Sequence, residues 1–203
     1  MEHVAVILTS FFALVSTVMA GWFAYNKYNH EKIMDLKIEQ FRQENQDKTA
    51  TNSRNIAIVY GELWQLLTRL EADRCFIIQP HPEKKHMYIS AVLEVDKKGV
   101  SMASDIVKDI PMSEVAVFSK ELATKLFMYF DDIDTQVADL RIRSLMKIAG
   151  STNIAIKQLV NMQNEWIGSL VVENTAKKQL DEKSRETMRS IAQTIQFILP
   201  PIN

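Results

Sequence analysis

The chain has 203 residues and a net charge of −1, from 24 Lys+Arg against 25 Asp+Glu, with a pI of about 6.4. That balance excludes a global basic field for nucleic acid and an acidic tail. The one cysteine, Cys75, excludes an internal disulfide, and five glycines with five prolines point to a chain rich in regular structure.

The first element runs from Val4 to Tyr25, 22 residues without a charge. A helix of that length rises about 33 Å, enough to cross a bilayer core of about 30 Å. A lone segment in lipid must be helical to satisfy its own backbone. Its candidate membrane-anchor residues are Val4, Ile7, Leu8, Phe11, Phe12, Leu14, Val15, Val18, Trp22 and Tyr25. Trp22, Phe23, Tyr25 and Tyr28 crowd the C-terminal end, where amphipathic rings favour the headgroup layer. Two other readings exist. One is an apolar core helix. The other is a signal peptide cut after Val18-Met19-Ala20, against which stands an n-region, Met1-Glu2-His3, without Lys or Arg. Lys27, Lys32, Lys37 and Arg42 follow the span and nothing basic precedes it. The positive-inside bias then places the C-terminal bulk in the cytoplasm.

Asn26 to Lys48 is charged and helix-prone, with Ile33, Leu36, Ile38 and Phe41 as its apolar positions. It is too short a stripe for a coiled coil, so a solvated stalk competes with a dimerising helix. Thr49 to Ser53 is a polar interruption that divides the chain into 1–25 (anchor), 26–53 (connector) and 54–203 (globular domain), with Asn52 or Ser53 able to cap the next helix. That helix, Asn55 to Leu70, carries Ile56, Val59, Tyr60, Leu63, Leu66, Leu67 and Leu70 on one face.

Arg74 to Gln79 reads as a buried strand closed by Pro80-His81-Pro82. Met87 to Val95 is a second, with Ile89, Ala91, Leu93 and Val95 alternating against Tyr88, Ser90, Val92 and Glu94. Residues 101–111 read as loop. Ser113 to Ala123 has helical spacing at Val115, Phe118 and Leu122, with Ser113 as a cap and a strand at Val115–Phe118 as the alternative. Lys125 to Phe130 is a third strand. Asp134 to Ala149 is a helix with Val137, Leu140, Leu145 and Ile148 inward and Gly150 just past its end. Thr152 to Val160 and Glu165 to Glu173 form a hairpin, and Gly168 marks a bulge or a close backbone approach. The last helix runs from about Leu180 to Ile198 on Leu180, Met188, Ile191, Ile195 and Ile198, and Pro200-Pro201 ends it. The fold class is α+β: a transmembrane helix, a connector helix, and a five-stranded, mostly antiparallel sheet with the first and last helices on one face.

This order resembles the GAF/PAS-type sensor fold, GAF more than PAS. The stretches that carry the likeness are Glu62-Leu63…Leu66-Leu67 into Ala72–Ile78, Leu145…Ala149-Gly150-Ser151-Thr152 into Asn153–Ile156, and Trp166-Ile167-Gly168-Ser169-Leu170 in the closing strand. The resemblance implies a sensor or protein-interaction module, with any ligand on the sheet face opposite the terminal helices. No binding residue transfers: Lys157-Gln158 stands where a proline often follows, and the connecting segment has no chromophore-attaching cysteine. A second likeness, of arrangement, is to the holin of T-even-type bacteriophages. It rests on Glu71-Ala72-Asp73, Met87 to Gly99, Trp166 to Ser169 and Leu180 to Leu199. It implies a lysis effector with an extracytoplasmic domain, against the charge-based topology.

The sequence holds no phosphate loop, Cys-x-x-Cys, His-Glu-x-x-His or Gly-x-Ser-x-Gly. His81 and His86 with Glu83 lack a third fixed metal ligand and read as a solvated turn. The cluster Asp131, Asp132 and Asp134 reads as helix capping by Asp132 or Asp134, not a calcium loop. Cys75, between apolar neighbours, reads as inert. Lys84-Lys85 and Lys97-Lys98 read as solvated turns with anionic lipid or RNA as the alternative. The expectation is a non-enzyme without metal or cofactor. Its partners are a lipid bilayer and either a second copy or another protein, with no nucleic acid.

Overall fold

A computed structural model describes the backbone of residues 2–82 and 85–202; up to residue 41 it describes the side chains of Met19, Trp22, Tyr25, Lys32, Met34 and residues 37–40. The elements are α1 (Glu2–Leu70), β1 (Arg74–His81), β2 (Tyr88–Asp96), β3 (Ile110–Pro111), a 3₁₀ turn (Met112–Val115), α2 (Ala116–Thr124), β4 (Phe127–Phe130), α3 (Ile133–Gln136), α4 (Leu140–Ile148), β5 (Asn153–Val160), β6 (Trp166–Asn174) and α5 (Glu182–Ile198). The chain divides into two compact units, Met1–Thr51 and Asn52–Asn203.

From Glu2 onward the first unit is helical. The expected interruption at Thr49–Ser53 does not break the helix. No glycine or proline occurs there, and the Thr49 hydroxyl returns to the Asn45 carbonyl at 2.8 Å, as a mid-helix Thr can. Asn52 and Ser53 are therefore interior, not caps. Among the described residues no helix is long and apolar enough to cross a membrane. The side chains of Val4, Ile7, Leu8, Phe11, Phe12, Leu14, Val15 and Val18 lie outside the described residues, while Trp22 and Tyr25 are exposed.

The second unit is built on one antiparallel sheet of order β3-β2-β1-β6-β5-β4. It has six strands, not five. The extra one is Ile110–Pro111, too short to show alternation, paired to Tyr88 and Ile89. On one face Val59, Leu63, Leu66, Leu67 and Leu70 of α1 meet Met188, Ile191, Ala192 and Ile195 of α5 over Cys75, Ile77, Leu159, Leu170 and Val172. This is the helix pair that the apolar spacing required. Asp181 caps α5 by accepting from the Ser184 N–H at 2.8 Å, and the Ser184 side chain together with that N–H holds its carboxyl below the usual range.

On the other face the strands present Phe76, Ile78, Ile89, Ala91, Met128, Ile154, Ile156 and Val171. Short segments cover them. The helix expected over Asp134–Ala149 is two helices, split at Val137-Ala138-Asp139. Asp139 caps α4 from the Arg141 and Ile142 N–H groups, both at 3.1 Å, and the Arg143 Nε donates to the Val137 carbonyl at 2.9 Å. The break rotates the buried face. Ile142 and Met146 point inward, whereas Leu140 and Ile148 are 72% and 68% exposed. Gly150, at φ 72°, closes α4 with bonds from Gly150 N to Lys147 O and Ser151 N to Met146 O, the glycine stop its position suggested. Asp132 caps α3, as expected, but Ser113 caps nothing because a 3₁₀ turn precedes α2.

Candidate functional site

Three residues from three adjacent strands meet on this second face. Arg74 begins β1, Glu94 lies two residues before the end of β2 and Glu173 one before the end of β6, with Arg74 paired in register to Glu173. The period of two places Arg74, Phe76 and Ile78 on one face of β1. Strict alternation in β2 would put Glu94 on the opposite side. A bulge prevents this. Cys75 pairs with Val95 and Ile77 with Val92, so Leu93 and Glu94 together occupy the register position opposite Phe76. Leu93 takes φ 47°, a conformation that costs about 1 kcal/mol for a residue with a Cβ. The expected alternation is thereby corrected. Ile89 and Ala91 line the face with Glu94, while Val92, Leu93 and Val95 pack under the two long helices.

Arg74 is 1% exposed. Its Nε donates to Glu173 Oε2 at 2.8 Å, Nη2 donates to Ser151 Oγ at 2.9 Å and to Glu173, and Nη1 donates to the Ser101 carbonyl. Glu94 Oε1 lies 3.8 Å from the Arg74 Nε. The Glu94 carboxylate also accepts the N–H groups of Ala103 (2.6 Å) and Ser104 (2.8 Å), so it holds the 101–107 loop over the sheet. Ser151 donates to Glu173 at 2.8 Å. Two carboxylates share one guanidinium. Burial pushes the Glu173 carboxyl up, against Arg74 and the Ser151 hydrogen bond, and the Glu94 charge adds to the rise. All three side chains are sealed from solvent. The role of the cluster is to bolt the loop and α4 to the sheet.

Beside this bolt, Phe76, Ile78, Val107, Phe118, Ile142 and Met146 enclose a cavity of about 20 Å³, room for about one water. Cys75 cannot serve it. The thiol lies on the other face, and burial raises its pKa far out of the reactive range.

At the far end of β1, His81 Nε2 lies 2.9 Å from Ser90 Oγ and 3.3 Å from Asp109 Oδ1. The residue types suggest a Ser-His-Asp triad, but Ser and Asp meet the same ring nitrogen. A triad needs the acid on the other one. The Ser90 oxygen also accepts the Asp109 N–H at 2.8 Å, so it serves as a loop clasp. His86 instead meets the Trp166 ring edge-on at 6.1 Å, Glu83 lies outside the described residues, and among the described residues no three His, Cys, Asp or Glu side chains gather for a metal. Nothing local in the sequence marks Arg74, Glu94 or Glu173 as a cluster. Charged residues at strand ends ordinarily face water, and the signal lies in three-dimensional register.

No protein-family model matches the chain, and no curated protein matches it. Solved structures do. A domain of a putative two-component sensor histidine kinase from Sinorhizobium meliloti aligns with TM-score 0.54 and 13% identity over 70% of this chain and 87% of that one. The blue-light-absorbing PixJ GAF domain of Thermosynechococcus elongatus aligns with TM-score 0.56 and 13% identity over 73% and 88%. A phycocyanobilin-bound GAF domain of a cyanobacterial phytochrome aligns with TM-score 0.56 and 15% identity over 70% and 82%. The chain has a GAF-like fold. The holin-like arrangement gains no support from these matches.

Proposed function

We propose that this protein is a membrane-anchored GAF-like module that works by binding protein, with no catalytic role of its own. The filled sheet face carries this reading. Ligand sites ordinarily span about 300–1,000 Å³, and the cavity between Phe76, Phe118 and Met146, on the face opposite the long helices, holds about 20 Å³. A bilin such as the one in the phytochrome match would have to displace Phe76, Phe118 and the loop that Glu94 holds. The uncharged run Val4–Tyr25 supports the anchor, and the Lys/Arg that follow it support a cytoplasmic domain.

Two measurements test the reading. The full chain should stay with membranes through an alkaline carbonate wash and be digested by protease only in opened cells. Incubated with phycocyanobilin and passed through a desalting column, it should emerge colourless. Release by the wash removes the anchor, bilin retained with the protein removes the closed face, and digestion in unopened cells reverses the topology.

A further inference from the structure

The sheet has two edges of different character. β3 ends one of them with two residues, and Pro111 has no N–H to offer, so that edge is blunted. β4 ends the other with Phe127-Met128-Tyr129-Phe130 and neither charge nor proline inside it. Phe127 pairs with Lys157 and Met128 with Ile156, and Gln158 N donates to the Leu126 carbonyl at 3.2 Å. Residues 126, 128 and 130 therefore turn their backbone groups toward β5. Phe127 and Tyr129 turn theirs outward, and among the described residues no backbone hydrogen bond reaches them. The open stretch is bounded. Lys125 N–H is held by the Glu121 carbonyl at 2.8 Å and Asp131 N–H by Gln136 Oε1 at 3.0 Å.

We propose that this edge receives β4 of a second copy of the chain, antiparallel and symmetric about Met128. Outward backbone groups must meet outward ones, so Phe127 pairs with Tyr129 of the second copy and Tyr129 with its Phe127. That register places Leu126, 68% exposed, against Phe130 of the other copy. It also places Lys125 against Asp131, once at each end, an opposite-charge pair across strands. Sliding one strand by two residues in either direction loses both charge pairs. A pairing this short is weak in free solution. Two copies anchored in one bilayer meet at a far higher effective concentration, so the inference rests on the membrane-anchored reading for its strength, though not for its register.

Zero-length carbodiimide coupling tests it in the full chain reconstituted into phosphatidylcholine vesicles from mixed ¹⁴N- and ¹⁵N-labelled protein. Within one copy Lys125 and Asp131 lie about 20 Å apart along an extended strand, beyond such a link. A Lys125–Asp131 link should therefore appear with mixed isotopes. The Lys125–Glu121 contact, 2.6 Å within one chain, is the internal control. Tyr129→Pro deletes an outward N–H that no strand of its own copy uses, and it should abolish the Lys125–Asp131 link while keeping the control. The pair Lys125→Glu with Asp131→Lys should restore a mixed-isotope link between the exchanged positions. Control links without Lys125–Asp131 links, or links untouched by Tyr129→Pro, overturn the pairing. A chain that washes off vesicles yet still forms the link refutes the anchor and leaves the pairing standing.

Discussion

On one face of the sheet, two long amphipathic stretches bury aliphatic side chains against Ile77, Leu159 and Leu170 and use no charge. On the other, short helices and a loop are held down around a buried guanidinium and two carboxylates. The two faces answer differently to change. An apolar face loses energy in proportion to the atoms removed and the cavity left. An ionic bolt is all or nothing, because deleting one partner strands the others without solvent.

The largest effect should follow from Arg74→Met. Unpairing buried Glu173 and Glu94 costs about 3–5 kcal/mol and frees the 101–107 loop, measured as denaturant unfolding and as increased amide exchange across Ala103 and Ser104. Arg74→Met combined with Glu173→Met should cost less than Arg74→Met alone. That inversion has no counterpart on the apolar face, and simple additivity would show the bolt to be ordinary packing. Leu63→Ala, on the helical face, should cost about 3 kcal/mol and leave exchange in the loop unchanged.

A smaller effect belongs to Gly168. A Cβ there would sit 2.9 Å from the Ile78 carbonyl oxygen and 3.2 Å from the Gln79 side chain. β6 is already distorted beside it, since Leu159 pairs with Gly168 and Val160 with Trp166, leaving Ile167 as the bulge. Gly168→Ala should cost about 1–3 kcal/mol by forced backbone displacement, read as a lowered unfolding midpoint.

How much of this was legible in the sequence follows the same division. Met188, Ile191 and Ile195, and Val59 through Leu70, announce the helical face because period and burial coincide along one element. Gly150 and Gly168 announce their backbone roles because only backbone geometry asks for glycine there. The other face was not legible. Its strand register depends on Leu93 adopting a left-handed conformation that its residue type disfavours. Its helix breaks at Val137-Ala138-Asp139 without Gly or Pro, through a capping aspartate whose residue type alone does not fix where a helix starts. Arg74 reads as a solvent-facing strand start until Glu94 and Glu173 are brought beside it. Contacts that join strands far apart in sequence leave no periodic trace.

The smallest effect separates two carboxylates by the sign of their pH dependence. Burial raises Asp73, but hydrogen bonds from the Thr175 N–H (2.8 Å) and from Lys97 (3.0 Å) outweigh it and leave the carboxyl below its usual range. Its contribution to stability is complete above the unfolded value of about 3.9 and is lost as pH falls through the lower folded value. Glu173 behaves oppositely. Burial raises its folded pKa, so the folded state holds that proton more tightly than the unfolded chain. The resulting stabilisation is present below about pH 4.3 and is lost as pH rises through the folded value. Melting temperatures taken between about pH 3 and pH 8 should show Asp73→Asn flattening the acid limb alone. Glu173→Gln, though less stable throughout, should flatten the limb above it. Equal flattening of both limbs by either variant would mean that the two groups titrate as one, and that the buried bolt is not electrostatically separate from the exposed corner where Asp73 meets Thr175.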